Sequence, residues 1–206
     1  MIKPNTFKTA LTTRQTQLGL WCCIADAYTN EIVAGSGYDW LTLDMEHSPN
    51  DARTVLAQIQ YPPRGIRGVA GLQRANQWGR VKNYHANAEH ELCVVAQIES
   101  VAAVKNIAQI AAADGIDGLF VGPSDLAASM GFMGNPLDPV GQQCILDAKN
   151  AILSSGKWAG ILARGVADAE VYATMRFTMI GLGSDQGLLA RASDDLMAQF
   201  RVKTSA

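Results

Sequence analysis

Two carboxylates, Glu99 and Asp125, stand at or just past the ends of two apolar runs, residues 92–98 and 117–122. If those runs are adjacent parallel strands, about 4.8 Å apart, both acids converge on one cation. No cysteine or histidine adjoins either acid. The donor set is then all oxygen, which suits Mg²⁺ or Mn²⁺, with Co²⁺ possible, and leaves waters and substrate oxygens to complete the shell. The competing reading makes both acids helix caps or surface charges. His47 ends a third run after Asp44-Met45-Glu46, where an imidazole serves as a general base near neutral pH; its competitor is a structurally bonded histidine. In Gly122-Pro123-Ser124-Asp125-Leu126, a helical turn beginning after Pro123 presents backbone N–H groups to a carboxylate. An ordinary capped turn looks the same. Schiff-base chemistry needs a lysine at a strand end. Lys105, Lys149 and Lys157 fall in helices or a loop, and Lys82 in an irregular segment. A metal-stabilised carbanion is the better strategy.

The elements that must position these groups follow one grammar. Short apolar strands are expected over 18–24, 39–47, 92–98, 117–122, 158–163 and 177–182. Helices are expected over 28–34, 52–59, 101–113, 142–153, 166–175 and 188–200. Such alternation means βαβ units and a parallel sheet. Polar residues collect just past the strand C-termini, the face that carries the active site in a (β/α) barrel. A doubly wound nucleotide-binding sheet competes, but its Gly-x-Gly-x-x-Gly turn after the first strand is missing. Gly35-Ser36-Gly37 follows a helix, and Gly181-Leu182-Gly183 follows the last expected strand. Residues 61–91 contain no convincing strand, so the count stops at about six where a barrel needs eight.

Composition narrows the classes. The chain has 206 residues, 48% hydrophobic and 17% charged, with a formal net charge of −2. One large domain, 1–206, with a substantial core is expected. That charge leaves no electrostatic footprint for nucleic acid or anionic lipid. No apolar run is long enough for a membrane span, and the first residues lack the apolar core of a signal peptide. Cys22, Cys23, Cys93 and Cys144 have no zinc-site spacing. They read as buried free thiols of a reducing compartment, the cytoplasm.

Leu-Asp-Met-Glu-His-Ser (43–48), Tyr-Pro-Pro-Arg-Gly-Ile-Arg-Gly-Val (61–69), Gln-Ile-Glu-Ser (97–100), Val-Gly-Pro-Ser-Asp-Leu (121–126) and Gly-x-x-x-Asp-x-x-Leu-Leu-Ala-Arg (181–191) occur in this order. Together they resemble the HpcH/HpaI aldolase family over nearly the whole chain. The resemblance implies an α/β fold of the TIM (β/α)8 type and a cytoplasmic homo-oligomer, a hexamer built as a trimer of dimers, with the last helix exchanged between subunits. It implies reversible cleavage of a 4-hydroxy-2-oxo acid to pyruvate and an aldehyde, as in aromatic catabolism. On the same basis Glu99 and Asp125 are metal ligands, Gln97, Ser124 and Asp125 meet the keto acid, and His47 is the base, acting through water. A citryl- or malyl-CoA lyase-like enzyme would need a basic patch for the CoA phosphates, which the Lys and Arg content does not offer.

The chain departs from the family at one point. Where Gln60 runs into Tyr61, the family carries two further strand–helix units. These contain an arginine that polarises the substrate carbonyl and an aspartate that raises the basicity of the histidine. Either two of eight units are lost, or the intact protein carries a segment this sequence omits; the undiminished match on both sides favours the second. A true loss implies a catalytically impaired or non-catalytic subunit.

Overall fold

The computed structural model describes residues 3–24, 27–43, 60–72 and 76–204. Among these residues six strands form one parallel sheet: β1 (Gln17–Cys22), β2 (Trp40–Leu43), β3 (Val95–Ile98), β4 (Gly118–Val121), β5 (Trp158–Leu162) and β6 (Met179–Ser184), in the spatial order β2-β1-β6-β5-β4-β3. Helices α1 (Thr6–Thr12) and α2 (Ala27–Ala34) flank β1. Then come α3 (Tyr84–Asn87), α4 (Val101–Lys105), α5 (Ile107–Ala111), α6 (Pro123–Ser129), α7 (Pro139–Ser154), α8 (Val166–Thr174) and α9 (Asp185–Thr204).

The strand order decides between the two candidate topologies. Consecutive strands other than β2 and β3 are neighbours, and the last strand pairs with the first, Leu18 opposite Ile180. That is the order of a ring, whereas a doubly wound sheet reverses direction at a central switch point. The two edges, β2 and β3, are consecutive in the chain, so the ring opens between them. Curvature is equally plain. On a flat sheet β2 and β4, four places apart, would be roughly 19 Å from each other. The Trp40 and Phe120 ring centroids are only 6.2 Å apart, and Trp21 on β1 reaches Phe120 at 5.2 Å. The sheet is a curled half-barrel.

Side chains alternate between two cores, as the pleat requires. On the outer face Ile98, Leu119, Val121, Ile161 and Ile180 pack against Ile107, Leu126, Ile145 and Ile152 of the helices. On the inner face Phe120, Met179, Trp21 and Trp40 pack with Leu11 and Phe7 of α1. The aromatics fit because the opposing backbone is bare. A Cβ at Gly19 would lie 2.0 Å from the Trp40 indole, and one at Gly160 would lie 2.4 Å from the Phe120 ring. α1 was not expected from sequence. Asn5 caps it by accepting from the Lys8 N–H, and the Lys8 ammonium bonds the Leu92 carbonyl and pairs with Asp117 at 3.0 Å.

Several boundaries differ from expectation. The helix expected over 101–113 is two short helices, because the chain turns tightly at Asn106, whose N–H bonds the Ala103 carbonyl. α7 starts at Pro139 rather than Gln142, with Asp138 accepting from the Val140 N–H as its cap. Phe177 belongs to the turn before β6, its N–H bonded to the Tyr172 carbonyl, so β6 begins at Met179 and contains Gly181-Leu182-Gly183. α9 follows β6 directly at Asp185 rather than starting at Leu188. Between 61 and 91 the described residues contain no strand, only α3 and a 3₁₀ turn, Ala88–Glu91. Arg64 ties this segment down through Glu89 and Asp114. The end of the strand expected over 39–47 and the helix expected over 52–59 lie outside the described residues.

Candidate active site at the carboxyl rim of the sheet

The β3–β4 pair sets the geometry. Gln97 lies opposite Phe120 and Ile98 opposite Val121. Phe120 faces the inside of the half-barrel, so Gln97 and, two residues on, Glu99 share that inner face at the rim. Glu99 and Gly122 meet there: a Cβ at Gly122 would lie 3.2 Å from the Glu99 Cβ and 3.2 Å from the Gln97 amide nitrogen. Glycine at 122 thus leaves the Glu99 and Gln97 side chains their room. The Gln97 amide donates to Glu99 Oε2 at 2.7 Å, which fixes one carboxylate oxygen.

Neither acid is consumed by capping. Ser100 caps α4, its hydroxyl accepting from the Ala103 N–H. Gly122 is the cap of α6, Pro123 opens the helix and Asp125 lies in its first turn. Asp125 is exposed and makes no hydrogen bond or ion pair among the described residues. Ser129 of α6 accepts from the Val101 N–H at 2.9 Å. This bond clamps the loop carrying Glu99 to the helix carrying Asp125, a role the sequence did not reveal. Ser124, exposed, stands between Pro123 and Asp125 on the same rim.

Glu99 and Asp125 thus offer hard oxygen donors on one rim, the donor chemistry that suits a divalent cation. Among the described residues no group of three or more His, Cys, Asp or Glu gathers around one point. His47 lies outside the described residues, as do Asp44 and Glu46. His85 has a structural place: its Nε2 meets the Ala70 carbonyl at 3.2 Å and its ring packs edge-on to Tyr61 and Tyr84.

Asp185, present in the 181–191 motif but given no role there, is another residue whose part the sequence did not reveal. It is 3% exposed, and its carboxylate accepts from the Cys23 N–H at 2.9 Å and the Ile24 N–H at 3.0 Å. It thereby fastens the loop after β1 to the start of α9. The usable signal was an acid in the first turn of the last helix. Past Ser124 the rim deepens into a cavity of about 260 Å³ over the ends of β5 and β6, bounded by α7, α8 and α9. Arg164 lies in its wall and makes a two-pronged contact with Asp168, at 2.6 and 3.1 Å. The guanidinium holds the Asp168 carboxyl below the usual range, and Asp168 in turn raises Arg164.

Residues 48–192 match the model of the HpcH/HpaI aldolase/citrate lyase family. The chain belongs to that family. The match spans Gln97, Glu99, Ser124 and Asp125 and begins one residue after His47. A 4-hydroxy-2-oxovalerate aldolase of Rhodococcus jostii is 37% identical over 248 aligned positions, covering 95% of this chain and 96% of the relative. A 4-hydroxy-2-oxo-heptane-1,7-dioate aldolase of Escherichia coli is 35% identical over 254 positions, covering 98% and 97%. Among solved structures, a family member from Burkholderia cenocepacia superposes with a TM-score of 0.86 at 29% identity, covering 96% of this chain and 99% of the other. An aldolase of the family from Desulfitobacterium hafniense superposes at 0.82 with 20% identity, covering 94% and 96%, a likeness of fold alone.

Proposed function

We propose that this protein is a divalent-metal-dependent aldolase that cleaves 4-hydroxy-2-oxo acids reversibly to pyruvate and an aldehyde. The observation that carries the reading is the pair Glu99 and Asp125, at the ends of neighbouring strands, with neither acid consumed as a helix cap. The aldolase names of relatives at 35–37% identity over nearly the whole chain support it.

In this reading Glu99 and Asp125 hold Mg²⁺ or Mn²⁺, and Gln97 orients Glu99 while facing the keto acid. The cation, when bound, supplies positive charge beside the 2-oxo and carboxylate oxygens as negative charge develops there. The backbone of Ser124, at the start of α6, holds the keto-acid carboxylate. His47, through a water, removes the proton of the 4-hydroxyl. The C3–C4 bond then breaks, its electron pair passing into the pyruvate enolate as the aldehyde carbonyl forms. Protonation at C3 releases pyruvate.

The chain acts as a single barrel-type domain in the cytoplasm, and a second copy covers α9. Leu189, Leu196 and Met197 on that helix are exposed at 61%, 70% and 52%, and their spacing of seven and eight residues puts them on one stripe. Exchange of this helix between subunits would bury the stripe, and light scattering that gives a monomer mass would remove the oligomer. No helix among the described residues is long and apolar enough to cross a membrane.

A second reading, an impaired enzyme, has its own support. The Rhodococcus alignment has 248 positions, yet 95% of this chain is about 196 residues. Roughly fifty positions therefore face no residue here. Among the described residues the ring opens between β2 and β3, a position in keeping with the loss of two strand–helix units. Loss of an oxyanion stabiliser of the kind those units carry costs about 10²–10³ in rate. The test is direct: pyruvate, an aldehyde and Mg²⁺ or Mn²⁺ yield aldol product that EDTA abolishes. Trace turnover with metal binding intact supports the impaired form. No turnover without metal binding removes both readings.

A further inference from the structure

We propose that the amino-terminal face of the half-barrel carries a binding site for a phosphate monoester, formed by Arg14 and Arg176 in the wall of a cavity remote from Glu99 and Asp125. The site is separate from the aldolase chemistry and does not depend on it.

The cavity measures about 430 Å³ and lies at the amino ends of β1, β5 and β6, bounded by the turns that follow α1, α7 and α8. A strand of five or six residues, roughly 17–20 Å, separates those ends from the carboxyl rim. The three turns share one construction. After α1 the Arg14 N–H bonds the Leu11 carbonyl and the Gln15 N–H bonds the Ala10 carbonyl. After α7 Gly156 and Lys157 donate in the same way to Leu153 and Ile152, and after α8 Arg176 and Phe177 donate to Ala173 and Tyr172. Each turn pivots on a left-handed residue, with φ of 58° at Arg14, 75° at Gly156 and 71° at Arg176. Glycine is the usual occupant of that position, yet two of the three carry arginine. Backbone N–H groups already cap these helix ends, so neither guanidinium is needed there. Arg14 and Arg176 make no side-chain hydrogen bond or ion pair among the described residues.

The cavity wall has a third cation, Lys157, and no aspartate or glutamate among the described residues. Lys157 donates one N–H to the Ile116 carbonyl at 2.6 Å and keeps two. Thr178 lines the same cavity, and its hydroxyl oxygen is buried without a hydrogen-bond partner among the described residues. A buried hydroxyl left in this state calls for a partner from outside the chain. Three cations without an acid exceed what one carboxylate neutralises. They suit a phosphate monoester, which carries close to two negative charges at pH 7 and three acceptor oxygens. Guanidinium forks match those oxygens in pairs. The volume is that of a small-metabolite pocket, which leaves room for the organic part of the ester.

The test is calorimetric titration of sn-glycerol 3-phosphate into the whole chain at low ionic strength, with EDTA present so that no metal-held anion contributes. One site per chain is expected, displaced by inorganic phosphate, unseen with glycerol and weakened by added chloride. Arg14→Gly and Arg176→Gly suit the left-handed turns, so their Tm without ligand stays at or above that of wild type. Each weakens binding about 10–100-fold, the span of a lost charge-assisted contact. Arg14→Gln and Arg176→Gln, which keep a side chain at the turn, lose affinity to the same degree. Absent binding, or binding indifferent to both arginines, overturns the site. So does a lower Tm in the glycine variants with affinity unchanged, the result expected if the arginines only offset the dipoles of α1 and α8.

Discussion

Replacing Asp185 by alanine removes an acceptor that holds two segments far apart in the chain. Its carboxylate takes the Cys23 and Ile24 N–H groups from the loop after β1, and the Gln186 N–H at 2.7 Å from its own helix. Cys23 and Ile24 are half-buried, so each orphaned donor costs near the low end of the usual range, about 1 kcal/mol. Losing a negative charge in the first turn of α9 adds about 0.5–1 kcal/mol. The sum is about 3 kcal/mol. For a chain of this size each kcal/mol moves Tm by about 2–4 °C, which predicts a fall of about 6–12 °C by calorimetry at pH 7. Asp185→Asn keeps one acceptor oxygen and loses about half as much. An Asp185→Ala Tm within about 2 °C of wild type would refute the view that this carboxylate ties β1 to α9.

Two further outcomes follow from the same geometry. Gly122→Ala places a methyl 3.2 Å from the Glu99 Cβ and the Gln97 amide; both side chains shift by a few tenths of an ångström. Metal-dependent kcat should drop about tenfold, since small misplacements at a reacting centre are costly, while a urea melt stays near wild type. Cys93 is pushed up to about 12, by burial first and then by Asp117. The folded state favours the neutral thiol, so its contribution to stability is complete below about pH 9 and is lost as pH rises toward 12. At pH 8 its thiolate is much scarcer than in the unfolded chain; peptide-resolved mass spectrometry should show native Cys93 alkylated far more slowly than in urea, and equal rates would contradict the burial argument.

Much of the fold was legible because its strands are short apolar runs with polar ends. Residues 117–122 read as a strand, and Gly118–Val121 is one, buried along its whole length. The rim placement of Glu99 and Asp125 followed from the same signal. Boundaries failed where local hydrogen bonding outweighed periodicity: at Asn106, which splits an alanine-rich helix, and at Phe177, fully buried in a turn although its neighbours look strand-like. α1 escaped because its Asn5 cap precedes only about two turns of mixed residues whose burial depends on a distant sheet. The Ser129 clamp, the Asp185 tether and the Arg164–Asp168 pair escaped for a shared reason. A serine or an acid on a helix, or an arginine in the bend before one, reads as solvated surface until the fold brings its partner near. The ring order was legible only in part: alternation gave the parallel sheet, but the pairing of β6 with β1 joins opposite ends of the chain and leaves no local mark.

The central claim is that Glu99 and Asp125 serve one divalent ion that draws charge from a bound keto acid. Exchange of the pyruvate methyl protons with D₂O, followed by NMR, tests this without any aldehyde. The account predicts exchange with Mg²⁺ or Mn²⁺, abolished by EDTA and by Glu99→Gln or Asp125→Asn, with both variants still folded by circular dichroism. Exchange that persists in EDTA, or in either variant, would contradict it.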